Sequence, residues 1–346
     1  MNDLAYERVL HAPERYVGDA GKLGKMGVKG YELKNALVSE PDLRLAWIGR
    51  GAPHFAMIEV RERIADAIRS RVVGPSGDER SVELFSTPGP RWFAEGRPIR
   101  EVHADASMFI GGLRALLLQS LHPVAMSGVA QHSDYRNDPW GRLQRTADFM
   151  AATTFGPADQ AQRAVDIVHR VHKHVTGTTA NGIAYEANDP HLLSWVHICE
   201  VESFLVSHDR YGSRPLTPSE RDEYVADMAV IADALGAENP PRSVAELRGA
   251  LRRYQPELRT IPEARAAARF LLLPPIEPIA LPFYGSITAA AVALLPWWAR
   301  LSLRLPFTPV TDTLVVRPVS QAVIGVMRWA LTPGSPTTVA TYAEMV

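Results

Sequence analysis

Residues 104–121 read ADASMFIGGLRALLLQSL, and this stretch decides the fold. Its strongly polar side chains are Asp105, Arg114 and Gln119, so a helix over these residues is apolar on most of its sides. A helix of that kind belongs in the centre of a domain. His122-Pro123 follows it, and a residue before proline is pushed out of the helical region. The stretch therefore predicts a buried central helix.

Around this helix, apolar residues recur with a period of about 3.6 and few segments alternate with period two. Capping and proline signals at Asp138-Pro139 and Asn188-Asp189-Pro190 start two further helices, and we expect another from Pro157 to Val175. We predict an all-α protein with a single helical domain over 96–310. An irregular N-terminal arm and loop region (1–95) precedes it, and a C-terminal extension (311–346) follows.

Composition excludes several classes of protein. Of 346 residues, 46 % are apolar and 22 % charged, which is ordinary for a soluble globular chain. The formal charge of −1 provides no field for nucleic acid, so we expect no nucleic-acid partner. The single cysteine, Cys199, forbids an internal disulfide and suits a reducing compartment. The first 20 residues lack the apolar core of a signal peptide, so we expect a cytoplasmic location.

The longest apolar run is Ile287–Ala299, which Pro296 interrupts. It is shorter than the roughly 20 residues that a spanning helix needs. We predict a buried helix that ends near Pro296. The alternative is peripheral contact with the inner membrane through Trp297 and Trp298, since paired tryptophans beside arginine suit an interface.

The histidines are clustered: nine of 11 lie between His103 and His208. Helical phase places His172 within an apolar stripe, His169 at the edge of that stripe and His174 on the polar side. A buried histidine must satisfy two ring nitrogens, either with a metal and a hydrogen bond or with hydrogen bonds alone. Both interpretations of His172 stay open at this point. The stripe consists of Ala161, Ala164, Val165, Val168, Val171 and Val175.

Two further groups have side chains suited to cofactors. His197 and Glu200 lie three apart on the next helix and are interpreted as a metal pair, a supporting pair or a buried hydrogen bond. His122 lies at the proline break. With His172, the pair His197 and Glu200 would make a two-histidine, one-carboxylate site for a non-haem metal enzyme.

Arg142, Arg145 and Thr146 share one stretch of the preceding helix. Facing solvent, they need no explanation. Turned inward, the two guanidinium groups need anionic partners, because unpaired buried charge is very unfavourable. Haem propionates or a carboxylate-bearing substrate would supply them.

An ordered set of motifs, together with the late patch Leu294-Leu295-Pro296-Trp297, resembles the bacterial relatives of the MpaB-type and latex-clearing rubber oxygenases. The resemblance covers roughly residues 95–305. The motifs are Leu121-His122-Pro123, Asp138-Pro139 with Arg142 and Arg145-Thr146, His172-x-x-Val175-x-Gly177, Tyr185-x-Ala187-Asn188-Asp189-Pro190 and Trp195-Val196-His197.

The resemblance implies a helical fold around one non-covalent b-type haem, with His172 as the axial iron ligand. It places Arg142, Arg145 and Thr146 on the opposite, catalytic face of the haem. We take His197, His169 and His122 as further candidates for contact with the cofactor. The implied function is a haem-b-dependent oxygenase that uses O2 on a small apolar, isoprenoid- or lipid-like substrate.

Two departures from the family pattern bear on the reaction. Arg145 stands where the rubber-cleaving members look to carry lysine, which makes rubber a poorer candidate substrate. The stretch Met126–Gln131 holds no acid to match the distal glutamate of those enzymes. A haem- or lipid-binding protein without turnover is therefore a third hypothesis beside the oxygenase and the non-haem metal enzyme.

Overall fold

The computed structural model describes residues 60–69, 84–274, 276 and 280–332. The chain divides into two units, Met1–Arg63 and Ile64–Val346, and nearly all described residues belong to the second. Most of the predicted N-terminal arm and the end of the predicted C-terminal extension lie outside the described residues.

The described part is mainly helical, which confirms the predicted all-α class. Residues Gln255–Glu257 form a short 3₁₀ turn. Residues 60–69 and 84–86 are helical. The helices that follow them in chain order are α1 (Pro98–Ala104), α2 (Met108–Gln119), α3 (Pro123–His132), α4 (Pro139–Phe155), α5 (Ala158–His172), α6 (Pro190–Tyr211), α7 (Pro218–Leu235), α8 (Val244–Tyr254), α9 (Pro262–Leu272), α10 (Leu281–Leu294), α11 (Trp297–Leu303) and α12 (Pro309–Leu331).

One small sheet was not predicted. Strands β1 (Thr176–Thr178) and β2 (Ala184–Glu186) pair antiparallel, with Gly177 opposite Tyr185. The prediction that α5 continues to Val175 is wrong, because the helix ends at His172 and the chain turns into β1. Strands of three residues are too short to show a period in sequence.

The predicted central helix begins later than expected. Asp105 adopts an extended backbone and separates α1 from α2. Its Oδ1 accepts a hydrogen bond from the Ser107 N–H at 2.8 Å, and its carboxylate pairs with Arg328 of α12 at 2.8 Å. An aspartate that binds local backbone favours a cap over a helix interior. The apolar run therefore forms α2 alone.

Helices α2 and α6 make the most extensive contact in the described fold. They approach closely because Gly111 has no side chain: a Cβ there would lie 3.2 Å from Phe204 Cα. The buried guanidinium of Arg114 forms an ion pair with Glu202 and donates to Ser203 Oγ at 2.6 Å. This pairing satisfies the one charge in the centre of α2.

A second cluster of buried side chains joins α2 to α10 and α12 through Ile110, Ala290 and Ile324. The prediction of a buried helix ending near Pro296 is confirmed: α10 ends at Leu294 and α11 begins at Trp297. The helix angle at that break is 118°.

Candidate functional site

Helices α4 and α5 form a hairpin that brings two candidate groups to one end. Gly156-Pro157 joins the helices, which pack against each other. Arg142 lies 13 residues before Phe155, and His172 lies 14 residues after Ala158. At about 1.5 Å per residue, each is about 20 Å from the turn. The hairpin therefore places Arg142 and His172 at the same, open end.

His172 is half-buried, as the helical phase predicted, and its Nδ1 is buried without a hydrogen-bond partner. Burial lowers the pKa of its imidazole, the neighbouring His169 lowers it further, and the side chain of Asn188 opposes the shift. A lowered pKa keeps the ring neutral at pH 7. Neutral imidazole is the form that binds a metal.

Asn188 carries an unpaired hydrogen-bond acceptor that suits this unpaired nitrogen. Its Nδ2 donates to the His169 carbonyl at 3.2 Å, which fixes the amide, while its Oδ1 is buried without a partner. The Asn188 side chain lies within hydrogen-bonding reach of His172, so Oδ1 is a suitable acceptor for a proton on His172 Nδ1. That tautomer leaves Nε2 free for a metal, as in protein sites where the second ring nitrogen orients the ligand.

Arg142 is half-buried beside this end of the hairpin. Its Nη1 donates to Ser133 Oγ at 2.5 Å, and within the described ranges no carboxylate forms an ion pair with it. Burial lowers the pKa of its guanidinium, and the nearby Arg145 lowers it further. A desolvated cation without an anion is unfavourable, so Arg142 suits an anionic group brought by a ligand.

Arg145 and Thr146 have different surroundings. The Arg145 side chain is 69 % exposed and reaches Asp138 Oδ2 at 3.2 Å. The exposed Thr146 hydroxyl donates to the Arg142 carbonyl of its own helix at 3.1 Å. The structure thus does not enclose these two residues with His172, and their catalytic role stays a prediction.

The apolar stripe of α5 is narrower than predicted. Ala161 and Val165 are fully buried, but the Val171 side chain is 55 % exposed, so its place in the stripe is wrong. His169 Nε2 lies 3.2 Å from the Ala234 carbonyl, a hydrogen bond that accounts for its position at the edge. His174 is exposed, as predicted.

A group of polar side chains lies beside the same end of the hairpin, and the sequence did not predict it as part of a site. The Tyr185 hydroxyl of β2 donates to Gln131 Oε1 at 2.8 Å. Gly177 allows this contact, because a Cβ there would meet the Tyr185 hydroxyl at 2.6 Å. Gln131 lies in the last turn of α3, two residues before Ser133. Tyr185 and Gly177 stood in the family motifs, but their spacing carried no sign that they meet α3.

His197 is buried on α6, and Glu200 lies partly buried three residues further along the same helix. Burial lowers the pKa of His197 to about 4 and raises that of Glu200 to about 7. His197 Nε2 has no partner, and Glu200 Oε1 accepts from Gln119 Nε2 at 3.5 Å. His172, His197 and Glu200 are all described, and their ligand atoms do not lie within 4.8 Å of one another. The structure therefore does not assemble the non-haem site.

His122 belongs to another cluster, with His191 and Glu257, whose ligand atoms lie within 4.8 Å. His122 Nδ1 accepts from the Ala125 N–H at 3.4 Å, so the proton of a neutral ring is on Nε2. That N–H donates to Glu257 Oε2 at 3.4 Å, and His191 Nε2 is 2.8 Å from the same oxygen. This tautomer explains the cluster by hydrogen bonds and leaves no lone pair on His122 Nε2 for a metal.

His103 forms an interior group that sequence reasoning did not single out. Its Nδ1 lies 2.8 Å from Thr154 Oγ1, and the Tyr224 hydroxyl lies 3.4 Å from its Nε2. Burial lowers the pKa of this imidazole to about 3. With both ring nitrogens hydrogen-bonded, His103 is a satisfied core residue.

The fold and site define a helical protein with a neutral histidine at the open end of a helix hairpin. Residues 100–329 match the family model "ER-bound oxygenase mpaB/B'/Rubber oxygenase, catalytic domain". The chain therefore belongs to this family of oxygenases, which are oxidoreductases. No curated protein and no solved structure matches the chain significantly.

Proposed function

We propose that this protein is a haem-b-dependent oxygenase that uses O2 on a small apolar substrate. One observation carries the proposal: His172, in a chain of the oxygenase family, has a half-buried neutral imidazole with an unpaired nitrogen. A buried polar atom without a partner is rare and asks for an explanation. The unpartnered Asn188 Oδ1 is a suitable acceptor for a proton on that nitrogen, Nδ1, and this arrangement would leave Nε2 to ligate iron.

The residues around the hairpin end have distinct roles in this proposal. His172 would hold the haem iron through Nε2, and Asn188 is a positioning residue that sets the ring and its tautomer. Arg142 would bind a haem propionate through charge-assisted hydrogen bonds. Haem bound in this way supplies an iron that reacts with O2.

The family name and two residues of this chain bear on the substrate. The family includes rubber oxygenases, and rubber is an apolar polymer, which supports an apolar substrate here. Arg145 in place of lysine and the lack of an acid over Met126–Gln131 argue against rubber itself. We therefore propose an isoprenoid- or lipid-like small molecule.

The test combines two measurements on the full chain after haem supplementation. Haem bound at one equivalent, with O2 consumption that depends on an apolar substrate, supports the proposal. Purified protein without a Soret band after supplementation contradicts it.

A second candidate is a haem-binding protein without turnover. The exposed side chains of Arg145 and Thr146 favour it, because they leave Arg142 as the one half-buried member of the predicted catalytic set. Bound haem with no substrate-dependent O2 consumption over a panel of isoprenoids and fatty acids would support this candidate instead.

A further inference from the structure

The surface formed by α11 and the start of α12 exposes large apolar side chains. Trp297 and Leu301 lie four residues apart on α11 and are 62 % and 60 % exposed. Val310 and Leu314 repeat that spacing on α12 and are 69 % and 70 % exposed, and Phe307 between the helices is 54 % exposed. A concentration of apolar side chains of this kind marks an interaction surface.

The opposite side of α12 is fixed to the domain. Ile324 and Met327 are buried, and Ser320 Oγ donates to the Ser286 carbonyl at 3.0 Å. By length and composition alone, one described helix, α12, is apolar enough to cross a membrane, or up to three spans if two bent helix pairs are counted. Because α12 packs against α10 through these contacts, the side of α12 that carries Val310 and Leu314 faces outward.

A cavity of about 330 Å³ lies beside this surface, between α9 and the end of α11. Three arginines line it, Arg265, Arg269 and Arg304, together with Leu303 and Leu305. Arg265 Nε is buried without a hydrogen-bond partner. Within the described part of the chain, none of the three forms an ion pair, and no acid lines the cavity. Clustered guanidinium groups without acids suit a phosphate.

The charge of the neighbouring segment agrees with this cavity. Asp312 is the single acid in residues 297–332. It is paired at 2.7 Å with the buried Arg300. Arg304 and Arg317 remain exposed. The apolar surface is thus bordered by positive charge.

We propose that α11 and the start of α12 dock onto a membrane that contains anionic phospholipid, with a lipid phosphate held by Arg265, Arg269 and Arg304. Apolar side chains beside basic ones are the pattern of proteins that lie on anionic bilayers. A second copy of the chain is a poorer occupant, because a two-fold contact through this surface would bring the same arginines together. A free phosphate would leave the apolar side chains unexplained.

The experiment is co-sedimentation of the full haem-supplemented chain with vesicles. Phosphatidylcholine vesicles are compared with vesicles of phosphatidylcholine and phosphatidylglycerol in equal amounts. We expect binding to the anionic vesicles that falls with added salt. The double variant Arg269→Gln/Arg304→Gln should bind roughly tenfold to thirtyfold more weakly, because each lost arginine near an anionic surface weakens binding by about fivefold.

Two control variants separate this effect from general charge and from misfolding. Arg252→Gln/Arg253→Gln removes the same charge from exposed positions on α8 and should bind like the parent. Arg304→Gly keeps the left-handed backbone at φ 57° without strain and should bind about fivefold more weakly while melting no lower than the parent.

Three results would overturn the proposal. The first is equal binding to neutral and anionic vesicles, which would indicate apolar contact alone. The second is failure to bind vesicles while Trp297→Ser dissociates a dimer, which would assign the surface to a second copy. The third is a rise in melting temperature with millimolar inorganic phosphate at constant ionic strength but no change in vesicle binding, which would indicate a free-anion site separate from any membrane contact. The haem spectrum is measured separately, so the two proposals stand or fall independently.

Discussion

Two adjacent glycines in α2 provide a matched test of the central packing. A Cβ on Gly111 would meet Phe204 Cδ1 at 2.6 Å, Phe204 Cα at 3.2 Å and the Ser203 carbonyl oxygen at 3.3 Å. A Cβ on Gly112 would meet nothing within 4 Å. Alanine therefore probes the contact between α2 and α6 at one position and helix propensity alone at the next.

The magnitudes follow from two opposing effects. Alanine is favoured over glycine inside a helix by about 1 kcal/mol. Overpacking a buried contact costs about 1–3 kcal/mol, and the upper end applies to Gly111 because two of the three atoms belong to backbone that cannot rotate away. We expect Gly112→Ala to raise the free energy of unfolding by about 1 kcal/mol. We expect Gly111→Ala to lower it by about 2 kcal/mol.

Guanidinium denaturation followed by far-UV circular dichroism measures both variants, with their midpoints compared at equal slope. If both variants shift the denaturation midpoint in the same direction, or if Gly111→Ala stabilises the protein, the close approach of α2 to Phe204 is refuted. A lower free energy of unfolding for Gly111→Ala, with unchanged α-helical content, would support this close approach.

Two further predictions concern buried titratable groups. Burial raises the pKa of Glu200 from 4.5 to about 7, so the folded state holds its proton more tightly and the parent loses stability as pH rises from about 4.5 to 7. Glu200→Gln should remove this dependence of stability on pH and be more stable than the parent at pH 8 by on the order of 3 kcal/mol. Urea denaturation at several pH values measures both proteins. An equal pH dependence in the two proteins would contradict the burial of this carboxyl. Cys199 is buried and burial raises its thiol pKa, so a thiol reagent should react with it only after denaturation, and rapid labelling of the folded protein would show an open core.

Several elements could be predicted because local chemistry determines them. The capping signal at Asn188-Asp189-Pro190 places the start of α6, and Asp189 Oδ1 accepts from the His191 N–H at 2.8 Å as a cap does. The phase of α5 placed His172 toward the interior, since helical geometry follows from spacing alone.

Other features depend on contacts between distant segments. Asn188 stands in a capping motif, but Asp189 forms the cap, which leaves the Asn188 amide for His169 and His172. The sequence contains no sign of that division of roles. Which way Arg145 and Thr146 face depends on the helices that surround α4, and spacing on one helix does not determine it. Val171 is exposed for the same reason, since no element among the described residues covers that side of α5.

The central claim is that His172 holds a haem iron. The measurement is the ultraviolet–visible spectrum of haem-supplemented protein, comparing His172→Ala with His174→Ala, an exposed histidine two residues away. We expect His174→Ala to keep the parent spectrum and His172→Ala to lose the signature of an axial imidazole, which added imidazole should restore. A His172→Ala spectrum identical to that of the parent would contradict the claim.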